Sequence, residues 1–251
     1  MNEKINILTE QINSINLEDY DIAKIIYLQS RIRGYLYRKN HIPNSIEFLK
    51  NVLQNTEWVL STSTRDGRTN SCIDEDRIME ILIVSGLSNR MKIPKKRHWF
   101  DFSIHDYRYG WLPVNIKSTT TLGADNTGNF AMCVHALTNV ELDLDKMYKN
   151  GEMSKLLITK IKTRELNYIH KKDYYFIIIN KNTKQVTCNS FKGLKKLTAN
   201  INNLPFQIKW SNNKRFKYRH INKVLKKFIN VIKKPTPSWR EEFLNEFRKI
   251  Q

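Results

Sequence analysis

The sequence predicts an α/β fold, a mixed sheet flanked by helices with an N-terminal helical extension. Three observations lead there. Apolar residues recur at helical spacing in several segments, strand-like stretches occupy 98–121 and 173–191, and the two kinds of segment interleave along 251 residues. That length fits one domain with extensions. We expect a helical region over 1–60 and the main domain over 61–251.

The elements follow in order. Residues 1–20 are polar and suit a short, loosely packed helix. Residues 21–39 place Ile22, Ile25, Ile26, Leu28, Ile32 and Leu36 at helical spacing. Asn40-His41-Ile42-Pro43-Asn44 breaks that helix, and Asn44 or Ser45 is the expected N-cap of another ending near Gln54. The stretch 61–71, STSTRDGRTNS, predicts a loop, with a helix starting at Ser71 or Asp74 and carrying Ile73, Ile78, Ile81 and Leu82. Residues 98–121, HWFDFSIHDYRYGWLPVNIKSTTT, predict two strands and a turn. A Gly-Ala-Asp-Asn-Thr-Gly loop at 123–128 leads to a helix over NFAMCVHALT. Residues 173–191 predict a hairpin turning at Lys181–Lys184. A final helix is expected after Pro235-Thr-Pro237-Ser238, where Ser238 with Glu241 or Glu242 approximates a capping box.

Charge is the outlying quantity, with 43 Lys+Arg against 24 Asp+Glu, a net charge of +19 and a pI near 9.8. A chain this basic favours a polyanionic partner. Part of the Lys excess, alongside abundant Asn and Ile, has the character of an AT-rich coding sequence. Residues 192–234 hold 13 Lys+Arg and no acid, with Phe206, Trp210, Phe216 and Tyr218 interleaved. They predict a phosphate-tracking surface in which Lys214, Arg215, Lys217 and Arg219 are the leading contacts. No apolar run approaches the ~18 residues of a membrane span and no signal-peptide pattern opens the chain. Three widely spaced cysteines, Cys72, Cys133 and Cys188, predict reduced thiols, no zinc site and an intracellular setting, cytoplasmic or nuclear.

The chemistry concentrates at 98–121. Side chains two apart in a strand share a face, so Asn115 and Lys117 point the same way and Asp101 can meet them across the ladder. An acid, an oxygen ligand and a lysine there can hold Mg²⁺ and a water beside a phosphodiester. Glu75, then Asp101, then Asn115-x-Lys117 resembles the PD-(D/E)xK core of type II restriction endonucleases in an Asn-x-Lys form. The resemblance covers about residues 70–190. It implies a restriction-endonuclease-like αβββαβ core and Mg²⁺-dependent hydrolysis of DNA. By that resemblance Asp101, Asn115 and the Ile116 carbonyl face the metal, Lys117 acts on the attacking water or the transition-state charge, and Glu75, or else Glu80, adds an acid. Two departures stand out. Asn115 occupies a position where the family more often has Asp or Glu, which lowers the charge on the metal, and Phe100 replaces the usual Pro. Asp125 and Asn126 are either DNA contacts or turn residues. His98, His105 and His135 lack metal-ligand spacing and are expected to be structural.

A second signal is independent. Leu28-Gln29, then Arg33-Gly34, then Arg38 resembles the IQ motif of unconventional myosins, which implies a calmodulin-like partner and, by extension, a eukaryotic or viral setting. Two alternatives to a nuclease therefore stay open: an inert nucleic-acid-binding protein on the same scaffold, and an IQ-type adaptor. A homodimer is a further expectation.

Overall fold

The computed structural model describes residues 24–32, 41–57, 67–95, 98–120, 122–126, 128–200 and 205–232, with 245, 248 and 249. The chain divides into two units, Met1–His41 and Ile42–Gln251. In the first, residues 24–32 form a helix (α1) that exposes Ile26, Leu28 and Ile32. Arg31 donates to the Tyr27 hydroxyl at 3.2 Å. Arg33, Gly34 and Arg38 of the IQ-like pattern lie outside the described residues, as do 1–20 and the expected helix start at Ser238.

The second unit opens with α2 (Asn44–Asn55), so this helix belongs with the larger unit. Its N-cap position is Pro43, which has no capping side chain, rather than Asn44 or Ser45. Asp106 supplies what the helix start lacks: its Oδ2 accepts from the Ser45 N–H at 3.5 Å and from the Ser45 hydroxyl at 2.9 Å. The next helix, α3, spans Gly67–Leu82, so residues 67–71, expected as loop, are helical and Glu75 sits mid-helix. Asp74, Ile78 and Leu82 fall at i, i+4 and i+8 and are all fully buried, which marks the inward stripe. The chain leaves α3 through a wide turn, Ile83–Leu87, where Gly86 adopts φ +79°. That left-handed conformation favours glycine.

Five strands follow in one sheet: β1 (Met91–Lys92), β2 (Phe102–Asp106), β3 (Gly110–Thr119), β5 (Tyr175–Asn180) and β6 (Val186–Ser190), in the order β1-β2-β3-β5-β6. Only β3 and β5 run parallel, with Val114 beside Tyr175 and Lys117 beside Ile178; the remaining pairs are antiparallel. The crossover between β3 and β5 carries β4 (Asp125–Asn126), α4 (Phe130–Leu137) and α5 (Asn150–Lys162). Strand β4 pairs with β7 (Gln207–Ile208) in a separate two-stranded ladder, and α6 (Ile221–Ile232) ends the described fold apart from short fragments.

Alternation divides the core between the two sheet faces. Leu112, Val114, Ile116, Tyr175, Ile177 and Ile179 pack with α2 and α3. Tyr174, Phe176 and Ile178 pack with α4, α5 and α6 on the other face. Burial on both sides explains why YFIII reads as one continuous apolar run. The amide oxygen of Asn129 caps α4 by accepting from the Met132 N–H at 2.8 Å, and every residue of α4 is buried. The hairpin turn at 181–184 is set by Asn180, whose side-chain oxygen accepts from the N–H groups of Asn182 and Thr183. Cys133 and Cys188 are buried free thiols. Among the described residues no helix is long and apolar enough to cross a membrane.

Candidate active site

The ladder between β2 and β3 pairs Phe102 with Val114. Asp101 lies one residue before this last regular pair, outside the strand. The Asp101 N–H donates to the Val114 carbonyl at 3.0 Å, one residue out of that register, so Asp101 and Phe102 both face Val114 as at a β-bulge. Asp101 thus lies at the strand's mouth rather than within it. Its Oδ2 accepts from the Ile116 N–H at 2.6 Å. The N–H and C=O of a strand residue leave the same edge, so the Ile116 carbonyl lies on the Asp101 side of β3.

Desolvation raises the Asp101 carboxyl to about 6, against the attraction of Lys117 and the Ile116 hydrogen bond. Lys117 lies 3.6 Å from Glu75, both half-buried. Glu75 adds a repulsion that also pushes the Asp101 carboxyl up. Glu80 is exposed, so Glu75 is the acid that α3 delivers. The Asn115 side chain supports the Tyr174 hydroxyl, which donates to the Trp99 carbonyl at 2.9 Å. The Asn115 amide oxygen is buried and has no hydrogen-bond partner. A buried acceptor left without a donor costs roughly 1–3 kcal/mol, and such orphans mark places where an ion or water belongs.

Asp125 is drawn into this neighbourhood. Its carboxylate accepts from the Trp210 indole N–H and the Thr119 hydroxyl and feels the charge of Lys117, while burial raises its pKa. It is tied to the protein rather than projected from a turn. The Asn126 side chain lies outside the described set.

Two further buried acids were not legible in the sequence. Asp74, fully buried, accepts from the Ser118 hydroxyl at 2.9 Å and pairs with Lys181 at 2.6 Å. Its place on the apolar stripe of α3 was the available signal. Asp173, also fully buried, accepts from the N–H groups of Tyr174 and Lys192. Nothing in its spacing separates it from a loop acid.

The basic segment differs from its expected form. Phe206, Trp210 and Tyr218 are core residues rather than stacking platforms. Lys192 is buried, donating to the carbonyls of Ile169 and Lys172. Arg219 donates to the carbonyls of Gly193 and Lys217, and Lys227 to that of Leu194. Lys195, Lys196, Lys209, Lys214, Arg215, Lys217, Lys223 and Lys226 remain exposed or partly so. Lys209 adjoins Trp210 and hence Asp125, which links this surface to the site.

No known family model matches the chain, and no curated protein matches it significantly.

Proposed function

We propose that this chain is a Mg²⁺-dependent DNA endonuclease of restriction-endonuclease-like architecture. The observation that carries the reading is that Asp101 binds the Ile116 N–H, between Asn115 and Lys117, and feels the Lys117 charge, with the Asn115 oxygen buried and unanswered. The order of elements supports it: α3, then β1, β2 and β3, then α4 and α5, then β5 parallel to β3.

The donor set fits a hard cation. The Asp101 carboxylate, the Asn115 amide oxygen and the Ile116 carbonyl are all oxygens, and Mg²⁺ needs only one or two carboxylates when phosphate and water complete its shell. Among the described residues no three His, Cys, Asp or Glu side chains cluster closely enough to hold an ion alone. The site would therefore depend on the Asn115 and backbone oxygens. Mg²⁺ bound there would neutralise phosphate charge and acidify water.

The chain's own groups would do the rest. The Ile116 N–H fixes one Asp101 oxygen and leaves the other for a ligand. Lys117, held by Glu75, is placed to orient the attacking water or to meet charge on the phosphate. The exposed cations from Lys195 to Lys226 would hold the polyanion.

Nicking of supercoiled plasmid tests this. Wild type should nick with Mg²⁺ or Mn²⁺ and stop in EDTA, and Lys117→Ala should not nick. A second reading, an inert DNA-binding relative, rests on Asn115 standing where an acid would strengthen the metal site. It expects duplex binding without nicking under any divalent ion.

A further inference from the structure

The β1 edge of the sheet carries a row of cations that the proposed chemistry leaves unused. Residues 81–100 hold Arg90, Lys92, Lys95, Lys96 and Arg97 and no acid. Arg90, Lys92 and Lys95 are exposed, as is Arg108 in the turn between β2 and β3. The acids of 101–111 are Asp101, in the site, and Asp106. Asp106 is 2% exposed and turned inward, bonded to the Ser45 hydroxyl and to the N–H groups of Arg108 and Tyr109. Among the described residues none of the four exposed cations has an ion-pair partner. The exposed acid near Trp111, Glu141, is held by Lys172 at 2.9 Å.

Three of the four cations are fixed in place. The Lys92 ammonium stands 4.6 Å from the centre of the Trp111 ring, which His105 meets edge-on at 5.2 Å. Arg90 donates to the His105 carbonyl at 3.2 Å. The Arg108 guanidinium lies 5.0 Å from the centre of the Tyr107 ring. Cations that are already ordered lose less side-chain freedom on meeting a phosphate. Register gives the row a direction. Met91 pairs with Ile104 and Lys92 with Ser103, so β1 runs back along β2 toward Phe102, and Lys95 follows toward the Asp101 end. From Arg90 to Lys95 the chain spans at most about 18 Å, over which one strand of a duplex passes about five phosphates.

We infer that this edge is a second phosphate-contacting surface, along which a nucleic-acid backbone runs toward Asp101, in addition to the cations from Lys195 to Lys226. The inference rests on the reading that this chain meets nucleic acid, but not on the metal site. Contacts of this kind position a duplex without reading its sequence. An anionic membrane suits the edge less well. The large apolar residues exposed along the row, Ile93 and Tyr107, flank it at opposite ends, whereas an interfacial surface needs a continuous apolar face.

The test uses the full chain in EDTA, so that cleavage cannot intervene, and titrates salt against the affinity for a duplex. Wild type is compared with Arg90→Gln/Lys92→Gln/Arg108→Gln. A control, Lys146→Gln/Lys149→Gln/Lys155→Gln, removes the same charge from a surface where Asp143, Asp145 and Glu152 are also exposed. Losing two or three phosphate contacts should lower the slope of log affinity against log salt by about 2, and weaken binding about 10–100-fold at 0.1 M salt. The control should keep the wild-type slope. Circular dichroism checks the fold; if the edge variant misfolds, Lys95→Glu decides, since that side chain has no partner among the described residues, and it should weaken binding several-fold. Wild-type slope in the edge variant, with duplex binding intact, would overturn the inference and leave the proposed function standing. An equal fall in the control would reduce the effect to net charge and overturn it as well. Absence of duplex binding by wild type would overturn the nucleic-acid reading and the edge with it. Phosphatidylserine vesicles bound by that wild type and not by the edge variant would then make a membrane the occupant.

Discussion

Two acid–lysine arrangements in this domain, one half-buried and one fully buried, make an instructive pair. Asp101 and Asp173 both have carboxyls raised to about 6, mainly by desolvation and against the pull of a lysine. Their titration does not distinguish them, but their hydrogen bonds do. Asp173 accepts from two backbone N–H groups and the Ser190 side chain, and Lys192 gives its ammonium protons to two carbonyls. Around Asp101 the arrangement is incomplete: Lys117 stands 3.6 Å from Glu75, and the Asn115 oxygen has no partner. A saturated buried pair is scaffold, whereas an unsaturated one has capacity left for a ligand.

The contrast is broken or sharpened first by catalysis. Asp101→Ala and Lys117→Ala should each cut plasmid nicking by ~10²–10⁴-fold with circular dichroism unchanged. Equal nicking by wild type and both variants would remove the site from the chemistry. Asp173→Ala should act in the opposite manner, on folding. It leaves the Lys192 ammonium buried beside no acid, a loss of about 3–5 kcal/mol readable by urea denaturation. A wild-type midpoint for Asp173→Ala would erase the distinction.

A third test uses pH at Asp101 alone, since the two carboxyls start from the same value. The Asp101 carboxyl rises from 3.8 unfolded to about 6 folded. Between about pH 4 and 6 the folded chain then holds more protons, and stability falls as pH rises through that window. Above about pH 6 the full penalty is present. Asp101→Asn should therefore raise the melting temperature near pH 7, lose that advantage near pH 4, and abolish nicking throughout. Wild-type nicking should rise with pH around 6 as Asp101 ionises. An Asp101→Asn chain no more stable than wild type at pH 7 would contradict the burial cost assigned to this carboxylate.

The smallest expected effect is at the basic surface. Replacing Lys209, Lys214, Arg215 and Lys217 by Gln should flatten the plot of log affinity against log salt by about 0.9 for each phosphate no longer neutralised. Arg219 is left alone, because it holds the Gly193 carbonyl. Unchanged slopes would make these side chains solvated surface.

The strand pair over 98–121 could be read before the fold was known, because side-chain alternation along a strand is a rigid rule. Once 110–119 is a strand, Asn115 and Lys117 must share a face, but the step by which Asp101 leaves the register of β2 was not legible. The acid from α3 was legible as Glu75 only by its position before the hairpin, and the start of α3 at Gly67 was hidden by loop-like Arg-Asp-Gly chemistry. Residues 192–234 misled in a different way. Composition registers charge but not direction, and Ile221, Val224 and Phe228 turn α6 inward while Phe206, Trp210 and Tyr218 fill the core. Lys192 looked like any surface cation because its partners, the carbonyls of Ile169 and Lys172, leave no trace in side-chain pattern.

The central claim is that the Asp101 arrangement has an unfilled place for a divalent ion and the Asp173 arrangement does not. Melting temperature against Mn²⁺ concentration measures this directly, since an ion that binds only the folded chain stabilises it by RT ln(1 + [L]/Kd). Wild type should gain stability with rising Mn²⁺, Asp101→Asn should lose the gain, and Asn115→Asp should steepen it. An Mn²⁺ response that persists undiminished in Asp101→Asn, or is absent from wild type and Asn115→Asp alike, would contradict the account.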